Sequence, residues 1–299
     1  VARDDVRMAT MGDSLRRLSP DLRLLEFPAW DCLPFDRLSP QGGLVGRRIE
    51  TLAQLASDAG QLANDVETRS SILLTTVNAI LQRVPPETYF TDSSLMIAAG
   101  QATEDSTNGQ TLGLSALADY LTGQAYLRTD TVRETGEFAV RGGILDVFPP
   151  GQTAPARLDF FGDDVETIRS FDPATQRSIG KLESLILRPV AEFMMNEATI
   201  AKFRTSYLSL FGAKARRDTL YESVSAGRSH PGIEHWLPLF HCNLACLTDY
   251  CSGWPVVLDH EGDAAIAARY VQIHDFHEAR LADGSDDTAS PYRPLAPEK

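Results

Sequence analysis

The sequence has no phosphate-binding loop: no G-x-x-x-x-G-K-[ST] occurs, and its one Gly-Lys pair, Gly180-Lys181, continues into Leu182-Glu183. Without such a loop there is no amide cradle for a β-phosphate and no Ser or Thr placed to hold Mg²⁺. No G-x-S-x-G elbow marks a nucleophile either. No apolar run approaches the length of a membrane span, and no leader pattern opens the chain. Four cysteines in 299 residues do not make a disulfide framework, so reduced thiols and a cytoplasmic location are expected. Basic charge is also scarce. The chain carries a formal −13, and the stretches 1–94, 95–189 and 190–299 carry −3, −5 and −5. A protein that grips DNA clusters Lys and Arg against phosphates, so strong DNA binding by this chain is not expected.

The composition that is present, 43% hydrophobic and 8% aromatic, is that of a globular protein with a real core. The chain does not open on Met, and Val1-Ala2-Arg3 reads as the end of a strand entering a helix, which implies a further segment upstream. The first third alternates helix and strand. After Asp4-Asp5, the residues Met8, Met11, Leu15 and Leu18 fall on one helical face. Leu22 to Phe27 reads as a buried strand, Pro28 to Pro40 as a loop, about Leu44–Ala56 as a helix and Ile72–Val77 as a second strand. A short helix then closes at Pro85-Pro86. This alternation predicts a parallel sheet.

The middle third changes character. A short helix (Ser115 as N-cap, Leu117 and Leu121 inward, Gly123 as C-cap) precedes strands at about Leu127–Arg133, Phe138–Phe148, Ala156–Phe161 and Val165–Phe171. Pro149-Pro150-Gly151 and Gly162-Asp163-Asp164 supply turns, and strands so close together are expected to pair antiparallel. The last third returns to helix: Ile200, Phe203, Tyr207 and Leu210 make one stripe, Val256–Leu258 reads as a strand, and about Asp263–Ala282 as a helix. A Gly-, Ser-, Asp- and Pro-rich tail over 284–299 reads as a linker. No internal repeat occurs.

The most informative stretch runs from Gly136 to Ser178. Alternation along Ala156–Phe161 puts Leu158 and Phe160 on one face and Arg157, Asp159 and Phe161 on the other. In the preceding strand, Glu137, Ala139 and Arg141 stand opposite Phe138 and Val140. If Leu158 and Phe160 are core, Phe161 is a bare aromatic beside an arginine on a rigid strand, the composition of a protein-binding hot spot. The plain alternative is that Phe161 packs under a loop and the arginines make surface salt bridges.

Several segments carry a resemblance. The Gly136–Ser178 block, Phe27-Pro28-Ala29-Trp30-Asp31-Cys32-Leu33-Pro34-Phe35-Asp36-Arg37-Leu38-Ser39-Pro40, Val77-Asn78-Ala79-Ile80-Leu81-Gln82-Arg83-Val84-Pro85 and Gly232-Ile233-Glu234-His235-Trp236-Leu237-Pro238-Leu239-Phe240 together resemble the bacterial transcription-repair coupling factors. More distantly they resemble the excinuclease subunit UvrB. The resemblance implies an α/β chain in three parts. These are an incomplete RecA-like parallel-sheet domain at 1–94, an inserted α+β domain at 95–189 that binds UvrA, and a mixed helical and strand domain at 190–299. The family's UvrA contact matches Arg141, Arg157 and Phe161 here. It further implies a parent protein that is an ATP-dependent DNA translocase displacing stalled RNA polymerase in nucleotide excision repair. ATP, Mg²⁺, DNA and RNA polymerase would then be held by parts outside this chain, which itself would hold no cofactor and catalyse nothing. The competing implication is a UvrB-type helicase subunit that binds ATP and damaged DNA. UvrB carries the phosphate loop and a long aromatic hairpin. The loop is absent here, and the short Phe27–Leu44 connection has no room for the hairpin.

Three lesser clusters complete the reading. His241, Cys242, Cys246 and Cys251 lack paired C-x₂-C knuckles and read as half-buried thiols on a helix with a surface histidine, not as a zinc site. His274 and His277 read as part of a solvated helix face. Gly42-Gly43-Leu44-Val45-Gly46-Arg47-Arg48 reads as a turn followed by surface arginines rather than an anion loop.

Overall fold

The computed structural model describes residues 1–61, 71–100 and 113–283. The 284–299 tail therefore lies outside the described residues. The chain divides into two compact units, one of residues 1–44, 57–86 and 195–299, the other of residues 45–56 and 87–194. Parallel and antiparallel sheets both occur. Among the described residues, no helix is long and apolar enough to cross a membrane.

In the first unit, α1 (Asp5–Leu18) is capped by Asp4, whose carboxylate accepts from the Arg7 amide at 2.7 Å. Met8 is buried against Ala2 and Leu74, whereas Leu18 points to solvent, so the expected stripe ends a turn early. Strands β1 (Arg23–Phe27) and β2 (Ser71–Thr75) pair in parallel, from Arg23 opposite Ser71 to Phe27 opposite Thr75. The second strand stops short of Val77 because Thr76 caps α3 (Val77–Ile80), its hydroxyl accepting from the Ala79 amide. The expected strand at Val256–Leu258 is extended backbone without a ladder. The amide of Asp259 donates to the Val1 carbonyl at 2.9 Å, but among the described residues no neighbouring strand continues the pairing.

Helix α6 (Glu197–Phe211) starts from a capping box between Asn196 and Thr199. Phe203 and Tyr207 are buried as expected, but Leu210 is exposed, and Phe211 is the residue that meets Tyr207 (4.8 Å) and Trp236 (5.6 Å). The ring of Tyr207 also meets Trp236 at 5.3 Å, and its hydroxyl donates to Asp218 at 2.9 Å. Helix α7 (Thr219–Ser225) follows, and α8 (Gly262–Asp283) matches the expected last helix.

The glycines at 42 and 43 do not form a turn: α2 (Gly42–Gln61) begins on them. Arg48 is not on the surface but wholly buried, its Nε donating to Glu192 at 2.6 Å within the second unit. An arginine on the inward face of a helix needs such a partner.

The second unit continues with α4 (Glu87–Asp92), β3 (Leu95–Ala98) and α5 (Leu114–Gly123). The N-cap of α5 is Gly113, so Ser115 lies inside the helix, and Gln124 rather than Gly123 is the C-cap. Six strands form the central sheet in the order β4 (Leu127–Arg128), β5 (Glu137–Arg141), β6 (Ile144–Val147), β7 (Ala156–Phe161), β8 (Asp164–Phe171) and β9 (Ser178–Leu182). From β5 onward every pair is antiparallel. The two-residue β4 instead pairs in parallel with β5, Leu127 opposite Glu137. A ladder of only two residues can form in parallel across an eight-residue loop, which a longer strand could not. The expected strand Phe138–Phe148 is a hairpin: Gly142, at φ +59°, takes the left-handed turn that an L side chain resists. A shorter sheet pairs β3 with β10 (Ser184–Leu187).

One face of the six-stranded sheet carries the unit's main core. Phe138, Leu145, Val147, Leu158, Val165 and Ile168 pack with Leu117 and Leu121 of α5 and with Leu95, Ile97, Leu185 and Leu187 of the short sheet. The opposite face is only partly covered, by a small cluster of Val132, Ala139 and Phe171 with Phe148 against it.

Candidate protein-docking site

The candidate residues lie on that second, partly covered face. The ladder runs Arg141 opposite Ile144, Ile144 opposite Asp159 and Asp159 opposite Thr167. The neighbouring row runs Ala139, Asp146, Arg157 and Arg169. Directly paired residues share a face, so Arg141, Arg157 and Phe161 face the same way. At strand spacings of about 4.8 Å and a rise of about 3.4 Å per residue, Arg141 and Phe161 stand roughly 12 Å apart.

Phe161 ends β7, opposite Asp164 across the two-residue turn Gly162-Asp163, and is 81% exposed. Gly162 takes φ +65° there. A bulge between Asp159 and Phe160 leaves Glu166 as an extra residue on β8. The bulge lets Val165 and Ile168, three apart, both turn into the core, so Phe160 packs there while Phe161 faces out. Among the described residues, no loop covers the ring.

Arg141 is exposed at the end of β5. Its Nε donates to the Asp130 carbonyl at 3.1 Å and its Nη2 to the Thr131 hydroxyl at 3.1 Å, with a second Nη2 bond to Asp130. These two residues belong to the loop beyond β4. Arg128, Thr129, Asp130, Val140 and Arg141 line a shallow cleft of about 650 Å³.

Arg157 differs from the surface arginine that strand parity suggests. Its side chain is only 18% exposed. Nε and Nη2 donate to the two oxygens of Asp146 at 2.6 and 2.8 Å, and the guanidinium carbon lies 4.7 Å from the centre of the buried Phe171 ring. The bond to Asp146, itself 2% exposed, pushes the Arg157 pKa up. Asp146 is the residue that strand parity alone passes over. Its signal was its place opposite Arg157, between the core residues Leu145 and Val147. Beyond it, Asp159 accepts from Thr167 and Arg169, each at 2.6 Å, giving the face a polar, ordered centre.

The lesser clusters resolve differently from expectation in two places. His274 is exposed on the last helix as expected, but His277 is half-buried, its ring 5.3 Å from Phe35. Cys242 and Cys246 lie outside any helix, and Arg83 donates to the Cys246 sulfur at 2.8 Å. Among the described residues, no group of three or more His, Cys, Asp or Glu converges on one point. Cys32 lies 3.7 Å from His235, with its thiol pushed up to about 11 by burial. A thiol held protonated in this way is a poor nucleophile.

Residues 106–193, which include the whole six-stranded sheet, match the UvrB interaction domain family. Over 277 residues the chain is 33% identical to a transcription-repair-coupling factor of Haemophilus influenzae, covering 91% of this chain and 22% of that protein. The corresponding Escherichia coli protein is 32% identical over 278 residues, 93% of this chain and 22% of its own length. A Mycobacterium bovis relative is 30% identical over 281 residues. The chain thus spans about a fifth of the length of the curated relatives it matches. A UvrB interaction domain built on this sheet, inside a chain that aligns with these proteins over nine-tenths of its residues, makes it a UvrB-like module of the transcription-repair-coupling-factor family.

Proposed function

We propose that the chain is a docking module that recruits UvrA through the open face of β5, β6 and β7, with Arg141, Arg157 and Phe161 carrying the interaction. The observation that carries this reading is Phe161, an aromatic ring 81% exposed on a rigid strand inside the segment that matches the UvrB interaction domain. Such a ring contributes free energy only when a partner covers it, and aromatic and arginine anchors dominate protein interfaces.

In this reading residues 1–94 and 190–299 are the RecA-like and packing domains of a degenerate UvrB-like module, and 95–189 is the docking domain. The chain itself holds no nucleotide and has no catalytic role. The whole protein acts in the cytoplasm as an ATP-dependent DNA translocase, removing stalled RNA polymerase by means of domains beyond this chain and delivering UvrA to the lesion. Titration of the chain with purified UvrA tests the docking role. A saturable one-site isotherm is expected, and no binding at tens of micromolar would contradict it.

A further inference from the structure

We infer that Asp146 is a positioning residue for the docking face: paired with Arg157, it holds the loop on which Arg141 rests. This rests on the docking reading and divides its three residues by role, with direct contact falling to Arg141 and Phe161.

The geometry runs in four links. Asp146, 2% exposed, receives both the Nε and Nη2 donors of Arg157. The guanidinium lies over Phe171, and its Nη1 reaches the Gln176 carbonyl at 3.5 Å. Gln176 is held at φ +61°, and its side-chain amide donates to Val132 at 3.0 Å and to Pro173 at 2.8 Å. Val132 is buried with Phe171 and Ala139, and the two residues before it supply the acceptors that orient Arg141. The 3.5 Å contact is the weakest of these, so the stacking on Phe171 carries more of the linkage.

A partner that took the Arg157 guanidinium for itself would leave Asp146 buried and unpaired, a heavy penalty for any interface to overcome. Arg141 and Phe161 are reached without breaking anything buried. The pair is therefore better suited to hold the face than to be read by the partner.

Two variants of the full 299-residue chain test this while leaving Arg141, Arg157 and Phe161 in place: Asp146→Asn and Gln176→Ala. Gln176→Ala keeps the test open should the buried change fail to fold. Each folded variant is expected to weaken UvrA binding by roughly tenfold and to speed amide exchange over residues 129–132. In an Arg141→Ala background that loss should largely vanish, because the positioning then has nothing to position. Normal UvrA binding by the folded variants, or a full additive loss in the Arg141→Ala background, overturns the inference. If the unaltered chain does not bind UvrA, the docking reading fails. Exchange at 129–132 still decides the linkage, with faster exchange supporting it and unchanged exchange overturning it.

Discussion

Arg157 and Phe161 share one face of one strand, four residues apart, yet the arginine is locked to Asp146 by two hydrogen bonds and the phenyl ring is 81% exposed. Their substitutions should therefore behave differently, although parity alone treats them alike.

Arg157→Ala is expected to destabilise the second unit by about 2 kcal/mol, because it leaves the buried Asp146 carboxylate without its arginine. Arg141→Ala should stay within about 0.5 kcal/mol of the unaltered chain, since its bonds are made at the exposed surface. Urea melts of the two variants check this ordering. An Arg157→Ala variant as stable as Arg141→Ala would mean that the pair with Asp146 contributes little.

Acid should weaken the first unit through His235. Burial pushes this imidazole below its ordinary value, so the unfolded chain takes up a proton more readily than the folded one. The stability it contributes is complete above about pH 6.5 and is lost as pH falls through that value toward the lower folded-state pKa. Its ring meets Trp30 edge-on at 5.5 Å, so tryptophan fluorescence reports the transition. Between about pH 8 and about pH 5.5 the melting temperature of His235→Phe should drop less than that of the unaltered chain. Equal drops would remove His235 as the cause.

Calorimetric titration with ATP and Mg²⁺ should give no saturable heat, because the sequence has no loop to cradle the phosphates. A micromolar site would favour the UvrB-type alternative.

Duplex DNA should bind weakly and salt-sensitively, because each third of the chain is net acidic. Retention in a mobility-shift assay at roughly 200 mM salt would contradict this expectation.

Much of the candidate face was legible because β-strands have a two-residue period and the turns are marked by Gly142 and Gly162. Alternation alone sorts Leu158 and Phe160 from Arg157 and Phe161, and the structure keeps that sorting. The burial of Arg157 was not legible, because it depends on register. Asp146 comes opposite it only once the two hairpins fix their turns, and Phe171 arrives from a third strand. Arg48 was hidden for a similar reason, since its partner Glu192 lies 144 residues away in sequence. Val256–Leu258 has the apolar composition of a strand, but strand formation also needs a neighbour to pair with, and no local pattern reports one.

The most direct measurement of the central claim is UvrA affinity of Phe161→Ala beside that of the unaltered chain, with melting temperatures taken on the same samples. Truncating an exposed anchor should leave folding within about 0.5 kcal/mol and weaken UvrA binding by roughly thirtyfold, the equivalent of about 2 kcal/mol. A Phe161→Ala chain that is folded and binds UvrA as tightly as the unaltered one would put the docking surface elsewhere.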